Sequence, residues 1–212
     1  MSYKIKEMFY TLQGEGAQTG RASVFCRFTG CNLWSGLEKH REKAKCKFCD
    51  TDFVGTDGEN GGKFETAGDL ADKLQSLWTD QNTSPYVVFT GGEPTLQLDL
   101  QLVNTLKKRG FIIAIETNGT KNVPPGVDWV CVSPKPGYRL KQNHGHEIKL
   151  VYPQAEPEMA PQNFEDLSFD FFYLQPMAGQ HYRENLAKTI AYCQDNPKWR
   201  LSLQTHKIVG LP

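Results

Sequence analysis

The chain has 212 residues, 39% of them hydrophobic and 23% charged, which is ordinary for a globular protein of one domain. Lys plus Arg and Asp plus Glu both number 24, so no basic excess favours a nucleic-acid or anionic-membrane partner, and we expect neither. No apolar run is long enough for a membrane span, and the N-terminus lacks the apolar core of a signal peptide. We therefore expect a cytoplasmic protein whose six cysteines are thiols or metal ligands rather than disulfides.

The predicted elements alternate between strands and helices. In chain order we predict a strand at 22–28, a helix at 66–78, a strand at 86–89, a helix at 96–109, strands at 111–115, 129–132, 148–152 and 171–174, a helix at 181–194 and a strand at 199–203. This alternation predicts an α/β protein with a parallel sheet. Because few helices follow residue 115, we expect a partial, shortened (βα) barrel in a single domain over residues 1–212.

Short polar motifs follow five of the predicted strands. In parallel α/β folds the carboxyl ends of the strands face one side, and ligands bind there. We therefore predict that the five motifs converge on one mouth: 90–94 (Thr-Gly-Gly-Glu-Pro), 116–119 (Glu-Thr-Asn-Gly), 133–135 (Ser-Pro-Lys), 175–177 (Gln-Pro-Met) and 204–207 (Gln-Thr-His-Lys).

Three cysteines form the most informative spacing. Fourteen residues separate Cys31 from Cys46, and two separate Cys46 from Cys49. Three thiolates with an open fourth position suit a four-iron, four-sulfur cluster that binds a small molecule. A zinc site would need a fourth protein ligand, such as His40 or one of the remaining cysteines. Spacing alone leaves the cluster, zinc and unrelated thiols all open.

Gly91-Gly92-Glu93-Pro94, downstream of the clustered cysteines, resembles the radical S-adenosylmethionine (SAM) superfamily. Further motifs resemble one of its families, the 7-carboxy-7-deazaguanine synthases, and together they run from Leu12 to the C-terminus: 12–16 (Leu-Gln-Gly-Glu-Gly), 49–51 (Cys-Asp-Thr), 116–119, 132–135, 175–176 and 203–207. The cysteine spacing departs from the superfamily's usual C-x3-C-x2-C, as it does in the synthases that carry an insert there. The resemblance therefore implies a barrel of radical SAM type with a cluster-binding loop and insert at about 30–63.

The resemblance implies a lyase reaction on the route to queuosine, a tRNA modification, and other deazapurines. Such synthases convert 6-carboxy-5,6,7,8-tetrahydropterin into 7-carboxy-7-deazaguanine with loss of ammonia. The reduced cluster cleaves SAM to methionine and a 5′-deoxyadenosyl radical, which removes hydrogen from substrate C6 before the ring contracts. The cofactor carries the radical chemistry, while the protein positions the reactants and excludes water and oxygen, so no side chain is expected to be catalytic by itself.

The resemblance also assigns residues. It implies that Cys31, Cys46 and Cys49 hold the 4Fe-4S cluster and that Thr51 binds Mg²⁺, a hard ion that keeps much of its hydration. The expected SAM contacts are Phe48, Cys49, Asp50, Gly92, Glu93, Glu116, Ser133, Pro134, Lys135, Gln175, Pro176, Met177 and Ala178. The expected substrate contacts are Leu12, Gln13, Gly14, Glu15, Arg27, Thr90, Gln204 and Pro212.

The residues themselves bear on two of these assignments, those of Arg27 and Pro212. The rigid fork of Arg27 suits the substrate carboxylate, although a structural ion pair would also explain an arginine in a strand. The last residues, 208–211, depart from the usual family ending, which puts the register of the Pro212 contact in doubt.

Partners follow only from the resemblance and from charge. The family is often dimeric, so a homodimer is expected. The insert from Asn32 to Lys45 is charged, and it could dock an acidic electron donor such as flavodoxin, although a solvated surface would look the same. Two other functions stay open: a radical enzyme that activates a glycyl-radical partner, and a zinc-stabilised binding module without catalysis.

Overall fold

Nine strands form one sheet in a computed structural model that describes residues 2–212. Met1, part of the expected domain, lies outside the described residues. In chain order the strands are Tyr3–Leu12 (β1), Ala22–Phe28 (β2), Gly62–Phe64 (β3), Tyr86–Gly91 (β4), Ile112–Thr117 (β5), Trp129–Val132 (β6), His144–Tyr152 (β7), Ser168–Pro176 (β8) and Trp199–Leu201 (β9). Seven strands run parallel, in the order β2-β4-β5-β6-β7-β8-β9, while β1 is antiparallel to both of its neighbours, β2 and β3.

The sheet is open at β3 and β9, which do not pair with each other in residues 2–212. A mostly parallel sheet with few helices is the shortened (βα) architecture that the alternating pattern predicts. All seven predicted strands lie within or overlap observed strands. Strands β1 and β3 were not predicted, and they extend the parallel sheet at one edge.

Four helices accompany the sheet: Ala67–Leu77 (α1), Leu100–Lys108 (α2), Tyr182–Asp195 (α3) and Thr205–Val209 (α4). Helix α1 begins with a capping box, in which the Thr66 side chain accepts from the Asp69 amide and the Asp69 carboxylate accepts from the Thr66 amide. Helix α2 begins four residues later than predicted, because Asp99 caps it and the segment Pro94–Leu96 forms a 3-10 turn instead. No helix in residues 2–212 is both long and apolar enough to cross a membrane.

Two apolar clusters stabilise the fold. The larger one joins the sheet to the inner faces of α1 and α2, including the fully buried Leu70, Leu74, Leu102 and Leu106. The smaller one contains Trp34, Ala44 and Phe53 and lies under the cysteine-bearing loop. Trp34 and Ala44 of the insert thus pack on Phe53 outside it, while the lysines at 39, 43 and 45 are exposed.

A glycine-rich loop at 55–62 packs on β1. The Gly58 amide donates to the Lys6 carbonyl, and the Met8 amide donates to the Glu59 carbonyl. A Cβ on Gly61 would lie 2.2 Å from the Lys6 carbonyl oxygen, so only glycine permits this approach. The loop covers part of the free edge of β1.

Candidate functional site

A cavity of about 370 Å³ opens at the carboxyl ends of the parallel strands. Each of the five polar motifs contributes residues to its lining, so the predicted convergence is confirmed. The predicted site residues that line it are Leu12, Gln13, Gly14, Glu15, Arg27, Cys46, Phe48, Cys49, Asp50, Thr51, Thr90, Gly92, Glu116, Ser133, Lys135, Gln175, Pro176, Met177, Ala178, Gln204 and Pro212. Three predicted residues, Cys31, Glu93 and Pro134, do not line it.

The three cysteines of the spacing motif lie on one side of this cavity. All six cysteines of the chain are free thiols. Cys46 and Cys49 line the cavity, and Cys31 lies beside Gly92, where a Cβ added to the glycine would come within 2.9 Å of the Cys31 Cβ. Cys31 and Cys49 both pack against the small apolar cluster of Trp34, Ala44 and Phe53. Local folding of the insert thus brings together thiols that are far apart in sequence.

Neighbouring groups and burial shift the pKa values of the three thiols in different directions. A hydrogen bond from Cys46 outweighs burial and lowers the pKa of the Cys49 thiol to about 6. The same bond, followed by burial, raises the pKa of Cys46, and burial raises the pKa of Cys31. The Leu33 amide donates to Cys31 Sγ at 3.4 Å. The thiolate is the form that binds metals, so the lowered pKa favours Cys49 as a ligand, whereas Cys46 and Cys31 would lose their protons on binding a cluster.

A single zinc ion would need a fourth protein ligand beside the three thiols. His40 is exposed and pairs with the Ser35 hydroxyl at 2.8 Å, while Cys26 and Cys131 are buried within strands.

The Gly91-Gly92-Glu93 turn lies where β4 meets the cysteine loop. A Cβ on Gly91, whose φ is +129°, would come within 2.2 Å of the Phe28 carbonyl oxygen, and one on Gly92 within 2.0 Å of the Gly30 carbonyl oxygen. Both glycines therefore allow backbone to pack on backbone, beside the segment that carries Cys31.

The side chain of Glu93, an expected SAM contact, faces away from the cavity. Glu93 is fully buried, and its carboxylate accepts from the amides of Thr95 and Asn118 and from the Thr117 hydroxyl. The side chain thus fixes the turn from behind, where it binds β5 and the residues that follow it. Pro134 is likewise buried and absent from the lining, between two residues that do line the cavity.

A buried lysine that was not predicted from the sequence organises the polar side of the cavity. Lys149 on β7 is 4% exposed, and its Nζ donates to Glu15 at 2.6 Å and to Glu116 at 3.0 Å. Gln204 and Gln175 also donate to Glu15, at 3.0 and 3.2 Å, and Gln13 donates to Glu116 at 3.2 Å. These glutamates and glutamines, all predicted site residues, therefore belong to one hydrogen-bonded network around Lys149.

The charges of this network are mutually stabilised. Burial would raise the pKa of Glu15, but the Lys149 charge and the hydrogen bonds from Lys149 and Gln204 outweigh it and lower the pKa to about 2. Burial would lower the pKa of Lys149, but the two carboxylates raise it well above its usual value. The nearby Glu147 differs, because burial raises its pKa. At neutral pH Glu15 and Lys149 therefore form a fixed ion pair in the cavity.

The contacts of Arg27, on β2, are compatible with both roles that the sequence left open, a structural ion pair and binding of a carboxylate. Its Nε donates to Glu7 at 2.7 Å, so it does form an ion pair, and Glu7 was not predicted as part of the site. Both residues line the cavity. The terminal guanidinium nitrogens of Arg27 have no partner in residues 2–212, so the pair orients the fork and leaves its end available.

Lys135 points back onto its own loop. Its Nζ donates to the Ser133 carbonyl at 2.8 Å and to the Ser133 hydroxyl at 2.6 Å. The ammonium also lies 5.9 Å from the centre of the ring of Phe48, a residue of the loop between Cys46 and Cys49. These three predicted SAM contacts thus form one part of the lining.

The C-terminal segment closes the cavity from the side of β1. The Thr205 amide donates to the Gly14 carbonyl at 2.9 Å, and Lys207 pairs with Asp50 at 2.6 Å. A Cβ on Gly14 would lie 2.2 Å from His206 Nδ1, so glycine is required for α4 to dock. Burial lowers the pKa of His206, which leaves its imidazole neutral at pH 7. Pro212, an expected substrate contact, lines the cavity after α4.

The chain is similar to known proteins along nearly its whole length. The radical SAM superfamily profile matches residues 43–130. The chain is 59% identical over 211 residues to the 7-carboxy-7-deazaguanine synthase of Bradyrhizobium diazoefficiens and 58% identical over 212 residues to that of Caulobacter vibrioides, with both chains covered completely in each case. Among solved structures, QueE from Escherichia coli shares 30% identity with a TM-score of 0.70, over 97% of this chain and 95% of that one.

Proposed function

The chain belongs to the 7-carboxy-7-deazaguanine synthases of the radical SAM superfamily, and from this premise we propose which residues perform each part of the reaction. It is an enzyme of the lyase class that uses a 4Fe-4S cluster and SAM. Its reaction is the ring contraction of 6-carboxy-5,6,7,8-tetrahydropterin to 7-carboxy-7-deazaguanine, with release of ammonia, in deazapurine biosynthesis. The relatives named above are synthases; none is named as a glycyl-radical activase or as a zinc-binding module.

One juxtaposition carries the assignment of the cofactor side. Three free thiols, one with its pKa lowered to about 6, lie beside the Gly91-Gly92 turn at the edge of one cavity. We assign Cys31, Cys46 and Cys49 as the cluster ligands. When bound, the cluster and SAM supply the one-electron cleavage that starts radical chemistry on the substrate.

The remaining lining near the thiols is assigned to SAM. This part of the cavity carries Phe48, Asp50, the Gly92 backbone, Ser133 and Lys135 on one side and the segment 175–178 on the other. Lys135 keeps its ammonium bound to Ser133, so a hydroxyl or carboxylate of the ligand would meet an already oriented donor. Thr51, between Asp50 and Asp52 on the lining, is the proposed Mg²⁺ ligand.

The polar side of the cavity suits the pterin. The free fork of Arg27 is assigned to the substrate carboxylate, since two parallel N–H bonds match its geometry. The pterin edge carries amide-like donors and acceptors, which the carboxylate of Glu15 and the amides of Gln13 and Gln204 can pair. Glu116, expected from the resemblance as a SAM contact, is hydrogen-bonded to Gln13 and Lys149, and on that ground we propose that it belongs to this side instead. Because Lys149 fixes both carboxylates before substrate arrives, little reorganisation is needed on binding. Leu12, Gly14, Thr90 and Pro212 complete this side.

Further properties are proposed on family grounds and on charge. We expect one domain, a homodimer and a cytoplasmic location. The exposed lysines of the insert, at 39, 43 and 45, are the proposed docking charges for a flavodoxin-type donor. Steering by such charges raises the association rate and weakens with salt, which makes the proposal testable by ionic strength.

The experiment is an assay on protein purified without oxygen. Iron and sulfide are measured per chain, and the enzyme is then incubated with the carboxytetrahydropterin, SAM and a reductant. We expect about four irons per chain, as in a 4Fe-4S cluster, together with 7-carboxy-7-deazaguanine and ammonia as products. Protein that carries one zinc and no iron, or that cleaves SAM without consuming the pterin, would refute the assignment.

A further inference from the structure

One basic side chain of the insert between Cys31 and Cys46 turns inward. Arg41 lies in the 3-10 segment Glu38–Lys43, and its Nη1 donates to the carbonyls of Lys47 at 2.8 Å and Cys49 at 3.1 Å. Its side chain is 29% exposed, and its Nε binds both carboxylate oxygens of Glu38. Lys39, in the same segment, is exposed and has no ion pair or hydrogen bond in residues 2–212.

A second contact ties Arg41 to the thiols. Its guanidinium carbon lies 4.2 Å from the centre of the Trp34 ring, which is 8% exposed and meets Phe53 edge to face. Cys31 and Cys49 pack against this same apolar cluster. Arg41 therefore donates to carbonyls of the loop that joins Cys46 to Cys49. It also covers the Trp34 ring, which belongs to the apolar cluster that Cys31 contacts.

We propose that Arg41 is a positioning residue for the cluster, which fixes the Cys46–Cys49 loop and places a permanent positive charge beside the cluster. This inference rests on the proposed function, because it requires the cluster at the three cysteines. Reduction adds one electron to the cluster, and a nearby fixed cation stabilises that added charge. A guanidinium suits the task, since it stays protonated and its planar fork can bind two carbonyls. Glu38, whose side chain is 76% exposed, offsets part of the charge.

The test compares reduction potentials of anaerobically reconstituted enzymes by redox titration followed with electron paramagnetic resonance. Arg41→Gln should bind the electron about tenfold more weakly, which is a shift of about −59 mV for a one-electron couple. Lys39→Gln removes the same charge from the same segment without touching the loop, so it should shift the potential by less than a third of that amount. Glu38→Gln should move the potential in the opposite direction, because it leaves the guanidinium uncompensated.

A separate readout follows the loop rather than the charge. Arg41→Lys keeps the charge and loses the fork, so it should keep most of the potential but lose iron to a chelator faster than wild type. If Arg41→Gln loses its iron while Lys39→Gln keeps it, that loss supports the positioning role. The potential of Glu38→Gln then tests whether the charge of Arg41 stabilises the reduced cluster.

Equal potentials and equal iron retention for Arg41→Gln and Lys39→Gln would overturn the proposal. So would a Glu38→Gln potential that is unchanged or more negative. Both results are distinct from failure of the proposed function, in which the wild-type protein itself would hold no iron.

Discussion

Replacing Lys149 by Met should strongly destabilise the enzyme, because it leaves the largely buried carboxylates of Glu15 and Glu116, whose side chains are 18% and 20% exposed, without a counterion. Lowering the pKa of Glu15 from 4.5 to about 2 corresponds to roughly 3 kcal/mol of stabilisation of its ionised form. Removing one partner of a buried pair typically costs about 3–5 kcal/mol, which agrees. For a chain of this size, a loss of about 3 kcal/mol lowers the melting temperature by roughly 6–12 °C.

The pH dependence of this loss follows from the direction of the pKa shift. Glu15 has a depressed pKa in the folded wild type, so its contribution is fully present above pH 4.5 and is lost as the pH falls towards about 2. Without Lys149, burial is the largest remaining influence on Glu15 and raises the pKa of its carboxyl. The stability gap between wild type and Lys149→Met should therefore be largest near pH 7 and narrow as the pH falls and the Glu15 carboxyl of the variant takes up a proton.

Thermal unfolding of the reconstituted enzymes under anaerobic conditions, at several pH values, measures this gap. Lys141→Met is the matched control, since Lys141 is exposed, and a surface change of this kind is usually within about 0.5 kcal/mol. The triple variant Lys149→Met, Glu15→Gln, Glu116→Gln should regain most of the stability but not the activity, because it removes the unpaired charges together with the proposed ligand contacts. A Lys149→Met enzyme with the melting temperature of wild type at pH 7 would refute the reasoning.

Three further predictions concern other parts of the site. Arg27→Lys should raise KM for the pterin about 10- to 100-fold with a smaller change in kcat. This is the loss expected for a charged, bidentate hydrogen bond of about 1.5–3 kcal/mol. An equal fall in kcat at saturating substrate would contradict the prediction. Gly92→Ala should lower the iron content per chain, because the added Cβ would clash with backbone at 2.0 Å, whereas Gly68→Ala in helix α1 has room and should keep full iron. Reversing the charges of Lys39 and Lys43 should slow turnover with flavodoxin at low salt but not with dithionite, and equal slowing with both reductants would end the docking proposal.

The sequence was most informative where the signal is local. Apolar runs placed all seven parallel strands, and the Thr66 capping signal fixed the start of α1. Strand β1 was missed, although Tyr3 and Ile5 alternate with Lys4 and Lys6, because a charged N-terminal stretch gives a weak strand signal. Two of its charges find partners only in the folded chain: Lys6 donates to the Val54 carbonyl, and Glu7 pairs with Arg27 of β2.

The residues of the candidate site also divide into those that could be predicted from the sequence and those that could not. Side chains at strand ends could be predicted, since the direction of a parallel sheet is enough to bring them to one edge. Lys149 could not, because a single lysine in a run of apolar residues is usually interpreted as one that extends its ammonium to solvent. What keeps it inside is a pair of carboxylates 33 and 134 residues away. A buried charge is stable only when such partners converge on it, so the residue that organises the polar half of the cavity is the one whose role depends entirely on the completed fold.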